Sequence, residues 1–398
     1  MSELSRRDRV RRSRANDHVP RDLQVRVPGP RRHPDHAHRR SGEAGFVNDL
    51  DDPGSLAAVD SHDALGIVES TPEQWREAIT RARSCDGLPT RHGINGIVYC
   101  GMGGSGIAGD VLAAIAAEEG TVPVTVVKGY KLPAWTGPNT LVFCASYSGN
   151  TEETLACFDD ALERKARIVA IATGGALADR ARAHSVAMIS PVEELQPRQA
   201  FASLAAPALV LAEQLGLLAD LTPHLTETGD VLERQVTVYG RDVTTEKNDA
   251  KKISGQLVGR IPLVWGQEGA LSAAATRWRT QLNENAKVPA FSSVLPELDH
   301  NEVVGYEQSS PGIADLAIVV LRTPNENPRV TQRIEATLER IGGLVATSVE
   351  ARAVGESPLA RLMSAVLLGD FVSVYLAVRR GVDPTPVTAI DQLKSRLA

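Results

Sequence analysis

Residues 100–110, Cys-Gly-Met-Gly-Gly-Ser-Gly-Ile-Ala-Gly-Asp, link an apolar run at 96–99 to a helical pattern of small residues at 111–117. This order predicts a strand, a glycine turn and the start of a helix. Four glycines lie within six positions, and without a Cβ they let the backbone bend sharply and approach a ligand. The unpaired N–H groups at the start of the helix favour an anion. The stretch therefore predicts the outline of a phosphate site.

Two other interpretations of this glycine pattern exist. Gly101, Gly103 and Gly106 also match the dinucleotide fingerprint G-x-G-x-x-G. That fingerprint requires an acidic residue at the end of the second strand, where it would hold a ribose. Here the second predicted strand, 124–127, is followed by Lys-Gly-Tyr, so the acid is missing. A tight turn with a purely structural role is the second alternative.

A second strand-to-helix turn carries three hydroxyl groups. Residues 140–145 predict another buried strand, and Ser146, Ser148 and Thr151 follow it before a helix that runs to about residue 165. Hydroxyls and helix N-terminal amides together can bind a phosphomonoester without a lysine. The alternative is an N-cap with a capping box, made by Ser148 or Thr151. Capping accounts for one hydroxyl but not for three beside a glycine.

The two turns, Gly-Met-Gly-Gly-Ser-Gly at 101–106 and Ser-Tyr-Ser-Gly-Asn-Thr-Glu-Glu-Thr at 146–154, resemble the sugar-phosphate loops of SIS (sugar isomerase) domains. More narrowly, residues 50–398 resemble the bifunctional phosphoglucose/phosphomannose isomerase family. The resemblance implies an α/β fold of two SIS-type doubly wound domains, each a parallel sheet flanked by helices. We expect an N-terminal SIS domain at 47–220 and a C-terminal one at 221–398.

Strands that alternate with helices favour the same architecture. Further strands are predicted at 167–172, 185–189, 261–266, 314–321 and 343–347, and helices at 202–218, 270–287 and 328–341. Ligands in such sheets bind beyond the carboxyl ends of the strands. The second half repeats the pattern without the glycine loop, so we expect one phosphate site per chain.

Composition restricts the class of protein. The 398 residues suffice for two domains, and 42% apolar with 23% charged residues is a globular composition. No run of about 18 apolar residues is present, so no membrane span is predicted. The four cysteines form no Cys-x-x-Cys pair, so no metal site is indicated, and buried free thiols fit a reducing cytoplasm.

The N-terminal stretch differs from the rest of the chain. The first 40 residues hold twelve Arg, no Lys and five acidic residues, and they lack the apolar core of a secretory signal. Because no hydrophobic periodicity appears, residues 1–46 are predicted to be a disordered basic extension. A nucleic-acid-binding arm is the alternative, but no aromatic or structured partner supports it, and we expect no nucleic-acid partner. We expect the natural start of the protein near Phe46 or Val47.

Three segments resemble the catalytic segments of the family: Asn-Glu-Asn-Ala-Lys at 283–287, Leu-Asp-His-Asn-Glu at 298–302 and the last helix, which carries Lys394. By this resemblance Glu284 is the base, and His300 opens the sugar ring with help from Lys394. Arg198 matches the arginine that stabilises the enediolate. The resemblance assigns the 6-phosphate to Ser105, Ser146, Ser148 and Thr151, and it makes Gly104 a further substrate-binding residue.

These roles imply a metal-independent isomerase without a cofactor, which interconverts fructose 6-phosphate with glucose 6-phosphate, mannose 6-phosphate or both through a cis-enediol. In the family the histidine can come from a neighbouring subunit, which implies a homodimer with shared sites. A threonine near the C-terminus is thought to admit both sugars, and Thr385 and Thr388 are both candidates. The alternatives are an isomerase of another sugar phosphate, a non-catalytic SIS-domain sensor and an NAD-binding oxidoreductase.

Overall fold

The computed structural model describes residues 49–308 and 312–397. The predictions for residues 1–46, namely a disordered extension and a natural start near Phe46, lie outside the described residues. The described chain opens with three helices, α1 (Pro53–Val59), α2 (Ala64–Glu69) and α3 (Thr71–Arg83).

The first sheet has five parallel strands in the order β2-β1-β3-β4-β5. Their bounds are β1 (Gly96–Cys100), β2 (Val124–Val127), β3 (Thr140–Ala145), β4 (Arg167–Ile171) and β5 (Ala187–Ile189). The register pairs Cys100 with Cys144. Because each of these cysteines ends or nearly ends its strand, the two predicted phosphate turns leave the sheet side by side at its carboxyl edge.

Four helices accompany these strands: α4 (Gly103–Glu119), α5 (Glu152–Glu163), α6 (Gly175–Ala183) and α7 (Phe201–Gln214). α7 is buried on nearly all sides and packs on α3 and α4, which matches its apolar composition. Cys100 and Cys144 are buried free thiols, which confirms the prediction for these two strand ends. Cys157, in α5, is a buried free thiol as well.

The second sheet has four parallel strands in the order β7-β6-β8-β9. The strands are β6 (Ile261–Gln267), β7 (Phe291–Leu295), β8 (Leu316–Arg322) and β9 (Thr347–Arg352). The predicted strand at 343–347 is wrong, since β9 begins where that prediction ends. β7 carries no sequence signal strong enough to predict it, because it lies at the sheet edge and exposes Phe291 and Val294.

Six helices complete the described chain: α8 (Thr222–Tyr239), α9 (Asp249–Gln256), α10 (Ala270–Glu284), α11 (Pro328–Ile341), α12 (Pro358–Arg379) and α13 (Thr388–Leu397). α12 is a central core helix, and α8, α9 and α10 all pack on it. The indole of Trp278 covers Gly369 and donates to the carbonyl of Ala365 at 2.7 Å. A Cβ at Gly369 would lie 2.4 Å from the indole nitrogen, so α10 and α12 approach closely only because this position is glycine.

By length and composition α12 could cross a membrane, but 94% of its most apolar window is buried inside the protein. The largest apolar cluster of the described residues continues from α3 and α7 through α10 to α12. The predicted boundary near residue 220 falls between α7 and α8, and the division into two domains there stays a prediction. Contacts of α10 and α12 with α4 join the two halves of the described chain.

Candidate active site

The glycine turn forms the first wall of the candidate site. Gly103 begins α4 with a φ of 53°, in the left-handed region where glycine is favoured. A Cβ at Gly104 would lie 2.8 Å from the carbonyl oxygen of Pro197, and one at Gly106 would lie 2.5 Å from the carbonyl oxygen of Gly101. No side chain caps the first turn of α4. The turn therefore presents backbone amides, and glycine is a steric requirement at two of its positions.

The hydroxyl turn forms the second wall. The hydroxyls of Ser146 and Thr151 are hydrogen-bonded at 2.8 Å, and Ser105 accepts a hydrogen bond from the amide of Tyr147 at 3.3 Å. Thr151 occupies the N-cap position of α5, but its side chain makes no capping hydrogen bond. The capping-box alternative is therefore wrong for Thr151. Ser148 is exposed. The four predicted hydroxyls, those of Ser105, Ser146, Ser148 and Thr151, thus lie on these two adjoining turns.

Arg198 lies beside the glycine turn and is only 3% exposed. Its Nε donates to Oδ1 of Asn285 at 2.7 Å, and its Nη2 donates to the carbonyls of Pro384 and Thr385 at 2.9 and 2.6 Å. Its Nη1 lies 3.8 Å from Oε2 of Glu284. Burial lowers the pKa of Arg198, and the Glu284 carboxylate opposes that shift. The guanidinium is thus held by two nitrogens, while the third faces Glu284.

A buried polar network supports Arg198 from behind. Arg277 forms a bidentate ion pair with Asp370, both bonds at 3.0 Å, and donates to the carbonyl of Arg198 at 2.6 Å. Asn285 donates to the hydroxyl of Ser373 at 2.9 Å. Burial raises the pKa of Asp370, and Arg277 counteracts this shift. Every member of this network lies on α7, α10 or α12 or next to one of them, so rigid helices set the position of the guanidinium.

Glu284 is the last residue of α10, and its side chain is 26% exposed. Its backbone carbonyl accepts a hydrogen bond from Nζ of Lys287 at 2.7 Å, and the same ammonium donates to the carbonyl of Pro384 at 3.0 Å. A carboxylate, a guanidinium and an ammonium therefore lie together beside the glycine turn.

His300 and Lys394 lie elsewhere in the chain. Glu284 precedes β7, whereas His300 follows it in an exposed 3₁₀ turn. A strand of five residues extends over about 16 Å, so Glu284 and His300 lie at opposite ends of β7. Lys394 is exposed on α13. The structure thus brings Arg198 and Glu284 together within one chain and does not bring His300 to them.

The two candidate threonines have different surroundings. The backbone carbonyl of Thr385 accepts a hydrogen bond from Arg198. The hydroxyl of Thr385 is buried without a hydrogen-bond partner among the residues that the structure describes. Thr388 begins α13 and is exposed. Thr385 is therefore the threonine that lies next to Arg198.

The larger cavities lie away from these side chains. One of about 540 Å³ lies between α1, α2 and the start of α9, and one of about 880 Å³ lies between α4, α10 and the ends of β6 and β7. Neither is lined by Ser146, Arg198 or Glu284. The candidate site is therefore identified by its converging side chains and not by the size of a cavity. Over residues 49–308 and 312–397, no three His, Cys, Asp or Glu side chains are grouped as metal ligands.

Comparison with known proteins identifies the family. The chain is 38% identical over 331 residues to a bifunctional phosphoglucose/phosphomannose isomerase from Caldicellulosiruptor bescii, covering 83% of this chain and 98% of the relative. The chain belongs to the bifunctional phosphoglucose/phosphomannose isomerase family. A family member from Aquifex aeolicus is 34% identical over 304 residues, which cover 76% of this chain and 90% of that protein.

Two domain families match as well. Residues 93–218 match the SIS domain, and residues 246–397 match the bacterial phospho-glucose isomerase C-terminal SIS domain. The C-terminal domain of glucosamine-fructose-6-phosphate aminotransferase from Francisella tularensis has a similar fold, with a TM-score of 0.62, 15% identity and coverage of 81% of this chain and 97% of that chain. The predicted family and the α/β fold with two SIS domains are confirmed.

Sequence analysis missed the residues that hold Arg198 in this family member. Arg277, Gln281 and Asn285 recur at intervals of four along α10, so they share one face of a helix that is largely buried. Asp370 and Ser373 are polar residues inside the apolar α12. Buried polar residues at helical spacing were the available signal, since a buried polar group requires a partner.

Proposed function

We propose that the protein interconverts fructose 6-phosphate with glucose 6-phosphate and mannose 6-phosphate through a cis-enediol, without a metal or a cofactor. The observation that carries this proposal is the Arg198–Glu284 pair, 3.8 Å apart, beside two turns that present hydroxyls and helix N-termini. Membership of the family supports the same reaction. Isomerisation moves one proton between two carbons and one proton between the oxygens that they carry, and it leaves the redox state of the molecule as a whole unchanged, so no external oxidant or reductant is needed.

The phosphate occupies the two turns. Hydroxyls of Ser105, Ser146, Ser148 and Thr151 donate to its oxygens, and the amides of the first turn of α4, including that of Gly104, provide the positive ends of their dipoles. The Ser146–Thr151 hydrogen bond holds these two hydroxyls side by side, and the one that donates within the pair turns its proton to the phosphate when the substrate binds. Binding the distant phosphate places the reacting carbons beside Glu284.

Glu284 takes the proton from one carbon and returns it to the neighbouring carbon, which a carboxylate can do because it accepts and releases the same proton. Negative charge then develops on the enediolate oxygens. Nη1 of Arg198 has no hydrogen-bond acceptor within the described residues and faces this position, so it stabilises that charge without reorganisation.

Ring opening uses His300 from a second copy of the chain, with Lys394 assisting. The placement of Glu284 and His300 at opposite ends of β7 supports this, since one chain alone keeps them apart. The active form is thus a homodimer with shared sites. Mixing inactive E284Q and H300A chains tests this proposal. Heterodimers then contain one intact site, and random exchange restores about one quarter of the wild-type activity. No recovery after confirmed subunit exchange contradicts the shared site.

Thr385 is the residue proposed to let the site accept either configuration at C2 of the sugar, because it lies against Arg198 whereas Thr388 is exposed. T385A changes the ratio of glucose 6-phosphate to mannose 6-phosphate formed from fructose 6-phosphate, and T388A leaves it unchanged. Equal effects of both substitutions contradict this choice. The buried free thiols of Cys100 and Cys144 support a reducing compartment, the cytoplasm.

The test of the activity is a coupled assay of both aldose phosphates from fructose 6-phosphate, with and without EDTA. We expect both products and no effect of EDTA. E284Q abolishes turnover but retains binding of fructose 6-phosphate, whereas E335Q, at an exposed glutamate of α11, is unaffected. Binding without turnover by the wild type favours a sensor, one product alone excludes dual specificity, and binding of NAD favours the oxidoreductase.

A further inference from the structure

Lys287 has an unusual backbone and an inward-folded side chain. It lies just beyond α10 with a φ of 54°, in the left-handed region that non-glycine residues rarely adopt. This conformation turns its side chain back over the end of the helix. Nζ donates to the carbonyl of Glu284 at 2.7 Å and to the carbonyl of Pro384 at 3.0 Å. An ammonium at a helix C-terminus is also favoured by the helix dipole.

The carbonyl of Pro384 is shared by two cations. Nη2 of Arg198 donates to it at 2.9 Å and to the carbonyl of Thr385 at 2.6 Å. The backbone from Pro384 to Thr385 is therefore held from the glycine turn by Arg198 and from the end of α10 by Lys287. Because Nζ of Lys287 also bonds the carbonyl of Glu284, a single side chain connects Glu284 to this segment.

The same segment is held from its other side by Asp383. Its carboxylate accepts hydrogen bonds from the hydroxyl of Ser61 at 2.8 Å and from the amide of Thr385 at 2.9 Å, and Nδ1 of His62 lies 3.0 Å from it. Ser61 and His62 are exposed and lie in the turn between α1 and α2. Without Lys287, the segment would keep these outer contacts and Arg198 but lose its hydrogen-bonded link to the backbone of Glu284. The 3.8 Å approach of Nη1 of Arg198 to the Glu284 carboxylate would remain.

We propose that Lys287 is a positioning residue for the isomerisation, which fixes the end of α10 that carries Glu284 against the Pro384–Thr385 backbone. The inference rests on the isomerase activity proposed above and adds a role that the substrate-contacting residues do not fill. Lys287 acts through Glu284 and Thr385 and needs no contact with the sugar. Lys287 thereby sets the distance between Glu284, the base, and Thr385, the residue beside C2.

Three variants test this role. K287M keeps the length of the side chain but loses the donors, K287R keeps the charge and can donate to both carbonyls, and K252M is the matched control. Lys252 is an exposed lysine of α9 that pairs with Asp249. All three variants are compared with the wild type for kcat, KM, the product ratio and Tm.

We expect kcat of K287M to fall about 10–100-fold, the usual loss when a supporting residue of a reacting group is removed. KM should change less than about threefold, because the phosphate turns are untouched. The ratio of glucose 6-phosphate to mannose 6-phosphate should also change. K287R should recover most of kcat, and K252M should match the wild type in every measurement.

The inference is overturned if K287M keeps kcat within twofold of the wild type, or if K287R is as impaired as K287M. A loss that appears only in KM, or only in Tm with normal kcat, also overturns it, because a structural role alone would produce that result. If the wild type itself forms no product, the proposed function fails and this inference, which rests on it, fails with it; an active wild type with unaffected variants overturns this inference alone. A folded, inactive K287M beside an active wild type supports it.

Discussion

The guanidinium of Arg198 offers the sharpest test of the site. R198K keeps the positive charge but replaces three nitrogens in a planar fork with one. Arg198 makes three hydrogen bonds of 2.7, 2.9 and 2.6 Å through Nε and Nη2 and leaves Nη1 toward Glu284. A single ammonium cannot hold these three acceptors and also face the substrate. In R198K the side chain at position 198 therefore loses either the hydrogen bonds that anchor it or its contact with the enediolate.

The magnitude follows from that geometry. Removing one preorganised donor from a developing oxyanion costs about 10²–10³ in kcat, or about 2.7–4 kcal/mol. The guanidinium nitrogens bond Asn285, Pro384 and Thr385 and do not belong to the two turns proposed to hold the phosphate, so KM for fructose 6-phosphate should stay within a few-fold. We therefore expect R198K to lose at least about 100-fold in kcat while it still binds substrate.

The assay is initial-rate kinetics with fructose 6-phosphate, with substrate binding measured separately by calorimetry. R182K is the control, since Arg182 is an exposed residue of α6 that pairs with Asp179. If R198K retains more than about a tenth of the wild-type kcat, the enediolate is not stabilised by this guanidinium. A large rise in KM at unchanged kcat would instead place Arg198 in ground-state binding.

Three other predictions address the turn, the network and pH. G104A should weaken fructose 6-phosphate binding at least tenfold in calorimetry, because its Cβ would lie 2.8 Å from a backbone carbonyl oxygen, whereas G137A, with open space, should bind normally. D370N leaves Arg277, which is 1% exposed, without a counter-charge, and it should lower the free energy of unfolding by about 3–5 kcal/mol in thermal unfolding. The double variant R277M/D370L should recover most of that loss. A double variant as unstable as D370N would refute this account. Burial, then the neighbouring Arg198 charge, lowers the pKa of Lys287 from 10.5 to about 8. Between these two pH values the unfolded chain binds a proton that the folded chain has lost, so the Tm of the wild type relative to that of K287M should rise with pH. The kcat of the wild type should fall above about pH 8, as the ammonium loses its proton, whereas the kcat of K287R should not.

Local patterns predicted much of this fold because the features concerned are local. The strand, glycine turn and helix at 96–119 depend on residues adjacent in sequence, as do the three hydroxyls after β3. The two missed or misplaced strands are β7 and β9, and both lie at an edge of the second sheet. β7 and β9 bury few of their side chains, so they lack the apolar run by which β1, β3 and β8 were recognised.

The sequence alone determined the α/β class, the positions of the two strand-to-helix turns that are predicted to hold the phosphate and, by family resemblance, the identities of Glu284 and Arg198 as candidate residues. Only the tertiary structure decided that these two side chains meet, that Thr385 and not Thr388 lies beside them, and that His300 is separated from Glu284 by β7. The reason is that turns and helix starts depend on neighbours in sequence, whereas a distance between side chains depends on packing. Here that packing is of α10 on α12 and of the last segment on Arg198 and Lys287.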